Sequence, residues 1–168
     1  AHVVLRRGAF SLDARFEASA PAWLPGFVRA VARRDWDAMA GLCAPDLVAE
    51  DHRLVSWGTL RGLSAYLPSL RSMVDLAPDV RLRLDHLRAT GRTELFEALW
   101  LGTRDGGAFE TPVIGVSELD ERGKQRRLDL YDLGQLAQAR ARFEALAGNA
   151  PREPLAALAK PNAASGWL

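Results

Sequence analysis

Apolar and polar positions change period several times along this chain, and the changes mark its elements. Trp23 to Cys43 carries Trp23, Phe27, Val31, Met39, Leu42 and Cys43 at spacings of three and four or their multiples, with Arg29, Arg33, Arg34 and Asp37 opposite. That is a helical stripe ending near Ala44-Pro45-Asp46, with Asp35 placed to cap a second short helix inside it. Leu47 to Trp57 alternates as a strand, with Ala49, Asp51, Arg53, Val55 and Trp57 on one face and Val48, Glu50, His52 and Leu54 on the other. After a turn region, Leu63 to Leu76 reads as a helix ending before Pro78, with a kink or join expected at Pro68.

Four strands follow. Val80 to Ala89 alternates with Val80, Leu82, Leu84 and His86 on the apolar side. Glu94 to Thr103 and Phe109 to Leu119 form a hairpin across Asp105-Gly106-Gly107. Asp120 to Gly123 is another turn, Gln125 to Asp132 the last strand, and Leu133 to Leu146 a closing helix rich in good helix formers. The order predicts an α+β fold in which a strongly curved antiparallel sheet wraps a long N-terminal helix and leaves a cavity between them.

Composition bounds the chain more than it informs it. The 168 residues suit one main domain with additions at its ends, and 48% apolar content is ample for a core. Lys and Arg (22) nearly cancel Asp and Glu (21), and the basic residues are scattered, so neither a nucleic acid nor an anionic membrane is expected as partner. Cys43 is the single cysteine and no apolar run is long enough to span a bilayer, which together point to a cytoplasmic protein. The pentapeptide Ala14 to Ala18 recurs letter for letter as Ala141 to Ala145. Residues 1–20 therefore read as the appended last strand and helix of a preceding copy, 21–148 as the main domain, and 149–168 as a linker or the start of a following element.

The run from Asp35 to Gly62, with its helix end, its strand bearing Asp51, its turn and its second helix, resembles the nuclear transport factor 2-like superfamily. Within it the chain is most similar to SnoaL-like cone domains, and similar cones stand in tandem in multidomain bacterial regulatory proteins. The superfamily includes polyketide cyclases, ketosteroid isomerases, limonene epoxide hydrolases and binding domains without catalysis. The segment Ala-Pro-Asp-Leu-Val-Ala-Glu-Asp resembles the isomerase segment whose final Asp is a general base, which would make Asp51 that base. By the same resemblance Phe27 stands where the isomerases have a donor Tyr, and Gly115 where they have a donor Asp. Neither side chain supplies a hydrogen bond to a developing oxyanion. The Asp-Arg-Asp relay of the epoxide hydrolases is approximated by Asp51, Arg53 and Asp132.

Several residues thus compete for roles. Asp51, with His86 as its orienter, is the candidate catalytic pair. A neighbouring Arg53 would instead hold Asp51 as a structural anion. Phe27, Arg53, Trp57, Phe109, Leu130 and Asp132 are the candidate ligand-binding residues, although Asp132 also suits the N-cap of the closing helix. Three His without Cys or carboxylates at ligand spacing give no metal site, and no glycine loop cradles a cofactor phosphate. The expected function is a cone that binds a small apolar ligand or a partner, whether a second copy in a homodimer or adjacent domains of the same chain. A cyclase, isomerase or epoxide hydrolase built on Asp51, and a structural dimerisation module, are the alternatives.

Overall fold

The computed structural model describes residues 23–148; the segments 1–20 and 149–168, with the Ala14–Ala18 copy of the repeat, lie outside the described residues. Two helices open the described chain, α1 (Trp23–Arg33) and α2 (Trp36–Gly41), and the Asp35 carboxylate accepts from Ala38 N at 2.9 Å to start the second. Arg34, between them, has a left-handed backbone (φ 57°), and its guanidinium donates to Pro78 O at 2.6 Å.

Strands β1 (Cys43–Asp51), β2 (Thr59–Arg61), β3 (Arg81–Thr90), β4 (Thr93–Arg104), β5 (Gly107–Leu119) and β6 (Gln125–Tyr131) form one sheet in the order β2-β1-β6-β5-β4-β3. Helix α3 (Leu63–Leu76) separates β2 from β3, and α4 (Leu136–Gly148) closes the described chain after a 3-10 turn at Leu133–Gln135. All neighbouring strands are antiparallel except β1 and β6, which run parallel. The cone expected from the sequence is therefore present, with one parallel joint.

Local boundaries differ from the sequence reading in instructive ways. Cys43 is the first residue of β1 rather than the end of a helix. The strand expected to reach Trp57 stops at Asp51, and the short β2, unforeseen, pairs back onto Val48 to Glu50. Pro68 lies inside a single continuous helix, where it breaks no element. Beside it, Ser72 Oγ donates to Pro68 O at 2.9 Å. The β4–β5 hairpin turns on Asp105 and Gly106 alone, with φ of 52° and 79°, the positive pair that matches the twist of the strands.

The concave face buries Trp23, Phe27, Val31, Ala49, Tyr66, Leu70, Leu87, Phe96 and Leu128 in one core. The convex face carries a second, where Ala139 and Phe143 of α4 pack on Ile114, Val116 and Tyr131. Two cross-strand pairs shape the concave face. Phe96 opposes Gly115 and Phe109 opposes Gly102. A Cβ on Gly115 would stand 2.1 Å from the Phe96 ring, and one on Gly102 2.9 Å from that of Phe109. Each ring thus lies across the neighbouring strand in space that only glycine leaves free.

A candidate ligand cavity

Between the concave face and helices α1 and α3 is a cavity of about 300 Å³. Of the six expected ligand-binding residues, Phe27, Arg53, Trp57, Phe109 and Leu130 line it and Asp132 does not. Trp23 and Phe27 stack at 5.4 Å, Phe96 packs against Trp23 with ring centroids 6.3 Å apart, and Trp100 and Phe109 line the cavity from the sheet. The strand topology puts the loop 52–58, after β1, at the same end of the cone as the β4–β5 turn. Arg53 and Arg104 are thus at the wide end, and among the described residues they are the only charged side chains in the lining.

Asp51 lies behind this wall, its side chain 2% exposed. The loop after it folds back, so that Arg53 donates from Nε and Nη2 to the two carboxylate oxygens, both at 2.8 Å. The backbone N–H groups of Trp57 (2.9 Å) and Arg53 (3.3 Å) complete the set. Burial alone would push the carboxyl up. The Arg53 guanidinium and these N–H groups outweigh it and hold Asp51 below the ordinary 3.8. A carboxylate held this firmly in its charged form is a weak base. The arginine contact expected from a shared strand face is real, but its origin is a folded-back loop: Val55, placed on that face by alternation, is 86% exposed.

His86 does not join Asp51. The β3–β4 register shifts between Leu84 and His86, so the extra residue, Asp85, reverses the alternation. Leu87 takes the inward place and is 1% exposed, while His86 turns outward to within 3.8 Å of Glu97. Its expected inward orientation is thereby corrected. Asp132 also lies outside the cavity. It sits at the N-cap of the 3-10 turn, its N–H donates to the Gln135 side chain at 2.8 Å, and its carboxylate accepts from Leu54 N at 2.9 Å. Asp132 contributes to the field that favours charged Arg53, yet neither it nor Asp51 lines the cavity, so the Asp-Arg-Asp set presents no carboxylate to a bound molecule.

Two groups escaped the sequence reading. Tyr66 of α3 lines the cavity, and burial pushes its hydroxyl up, keeping it a donor. Its spacing from Leu70, Met73 and Ala77, which also line the cavity, was legible as a helical stripe. Glu94, at the start of β4, is fully buried, and burial pushes its carboxyl up to about 8. Among the described residues its oxygens find no hydrogen-bond partner. It shares strand parity with Phe96 and Ala98, and a charge opening that apolar stripe was the available signal.

On the convex face Glu50, His52 and Asp129 bring three ligand-type atoms within 4.8 Å of one another. Arg127 contacts both carboxylates, at 2.8 and 2.9 Å, and Arg142 contacts Asp129 at 3.2 Å. These guanidinium groups already neutralise the charge a cation would need, so the donor set fits a salt-bridged network and not a metal centre. Cys43 is equally inert, since burial pushes its thiol up to about 12.

Comparison with known proteins agrees with this architecture. A protein of cystatin-like fold from Xanthomonas campestris superposes with a TM-score of 0.58 at 17% identity, covering 70% of this chain and 93% of that one. An LEH-like epoxide hydrolase from M. tuberculosis gives 0.56 at 22% identity, with 74% and 90% covered. A Catenulispora acidiphila protein of ketosteroid isomerase-like fold, in complex with trimethylamine, gives 0.58 at 16% identity, with 77% and 95% covered. At these identities the likeness is one of fold. No curated protein matches the sequence. No helix among the described residues is long and apolar enough to cross a membrane. The sequence profile of the SnoaL-like domain matches residues 25–128, and the chain belongs to that family, within the nuclear transport factor 2-like superfamily.

Proposed function

We propose that this chain is a small-molecule-binding SnoaL-like cone in which Asp51 is a structural anion that fixes the cavity wall and not a general base. The observation that carries the reading is the pairing of an aromatic and aliphatic cavity of about 300 Å³ with a carboxylate whose two oxygens are already held by Arg53. A concave apolar site with few polar groups is the usual form of a small-ligand pocket, and this one is at the compact end of the range. General-base catalysis needs a carboxylate that reaches the substrate with a raised affinity for protons, and Asp51 has neither property.

The test uses a neutral fluorescent probe, phenylnaphthylamine, titrated against the wild-type chain and against Thr111→Trp. Thr111 lines the cavity and is exposed, so an indole there plugs the mouth without disturbing the buried core. Saturable one-to-one binding, weakened at least about tenfold by the plug, is the expected result. Binding that ignores the plug, or no saturable binding at all, would remove the reading.

A further inference from the structure

Resting on that reading, we propose that the ligand of this cavity is a flat aromatic acid whose carboxylate accepts hydrogen bonds from Arg53 at the wide end of the cone. Arg53, Arg104, Tyr66 and Thr111 supply donors, while no Asp or Glu among the described residues lines the cavity. A ligand ammonium would meet two guanidinium groups and no carboxylate. A ligand bearing only acceptors would meet their complement.

Arg53 gives this a definite place. A guanidinium carries five N–H bonds in a fixed plane, and Asp51 takes one from Nε and one from Nη2. The other three have no hydrogen-bond acceptor among the described residues, although the Arg53 side chain is only 14% exposed. These donors are reached by solvent at the mouth, and a bound carboxylate would replace that water with a charged acceptor. The Trp57 ring, with its centroid 5.8 Å from the guanidinium carbon, adds an aromatic wall beside the same group.

The charge balance bounds the effect. Asp51 cancels the formal charge of Arg53, and Asp132 also acts on it, so Arg53 recognises by directed N–H groups more than by net field. Arg104 supplies the uncancelled attraction at the rim: its side chain is 59% exposed and its contact with Asp105 is a loose 3.6 Å. The rings of Trp57, Trp100 and Phe109 also line the cavity, and such aromatic walls favour a planar ring system over a branched or flexible one.

Calorimetric titration with naphthoic acid, naphthamide and naphthylmethylamine, substituted at the same ring position, tests charge at constant shape. Near neutral pH the acid should bind about tenfold more tightly than the amide, and the amine most weakly. The acid-to-amide ratio should fall about threefold in Arg104→Gln, with a matching loss in high salt. It should fall to about threefold, the share that Arg104 supplies, in Arg53→Lys, which keeps a cation on Asp51 but loses the fork. Equal binding of acid and amide, or tightest binding of the amine, would overturn this inference and leave the binding-cone reading standing. The same follows if phenylnaphthylamine binds and none of the three naphthyl ligands does. If neither the dye nor any naphthyl ligand binds, both fall. Should Arg53→Lys fail to fold, the wild-type order and Arg104→Gln still decide the matter.

Discussion

Two buried carboxyl groups on the same concave sheet face behave in opposite ways. Asp51, at the wide end, accepts four hydrogen bonds, two of them from one guanidinium, and is held below its usual range. Glu94, on β4 between Ala89 and Ser117 of the flanking strands, has no hydrogen-bond partner among the described residues and is pushed up to about 8. Both side chains are withdrawn from water, so burial does not distinguish them. Partners do. One end of the face stabilises an ion and the other a neutral acid, and the cavity lies on the side where the positive partner is.

The largest effect should come from breaking the satisfied end. Asp51→Asn leaves Arg53 enclosed beside a neutral amide, and urea unfolding near neutral pH should show a loss of about 3 kcal/mol. The pH dependence has a definite sign. Because the folded value lies below the ordinary 3.8, the Asp51 contribution is present above 3.8 and is lost as pH falls through the folded value. An Asp51→Asn protein as stable as wild type would show that the pair contributes nothing.

Replacing Glu94 should act the other way. Between the ordinary 4.5 and the folded value of about 8, the unfolded chain has released a proton that the folded chain still holds. Stability therefore falls as pH rises across that window and levels off above it. Glu94→Met removes the dependence and should be more stable than wild type at the upper end by about 2–4 kcal/mol. If the two proteins show parallel stability profiles from pH 4.5 to 8, Glu94 has a partner that cancels its burial.

A smaller effect sharpens the contrast between the ends by changing the wall that lies along the same face. Gly115→Ala places a methyl where the Phe96 ring lies and should cost about 1–3 kcal/mol by overpacking. Phe96→Leu in the same chain should recover part of that loss. Two additive costs would mean that the ring and the glycine do not share the space.

Much of this architecture was legible because it is periodic. The hairpin followed from the strand runs Glu94 to Thr103 and Phe109 to Leu119 flanking Asp105-Gly106-Gly107, and the helix over Leu63–Leu76 from its bounds. What escaped was non-periodic. One extra residue at Asp85 exchanged the roles of His86 and Leu87, and a bulge leaves no mark in an alternating pattern that continues on both sides. The loop 52–58 continued the alternation of β1 by coincidence, which paired Arg53 with Asp51 for the wrong reason and sent Val55 to the wrong side. Glu94 was passed over because a charge at a strand's first residue looks like an exposed end until neighbouring strands cover it.

That loop has a consequence for the rate at which molecules pass the rim. Leu54 and Val55 extend into solvent, yet the N–H groups of Arg53, Leu54 and Trp57 are tied to the carboxylates of Asp51 and Asp132, and the His52 carbonyl accepts from Gln135. Side-chain exposure here is uncoupled from backbone freedom. For the ligand proposed above, this makes a fixed threshold rather than a swinging door: its association rate would be set by diffusion and the width of the opening, and its residence time by the contacts inside.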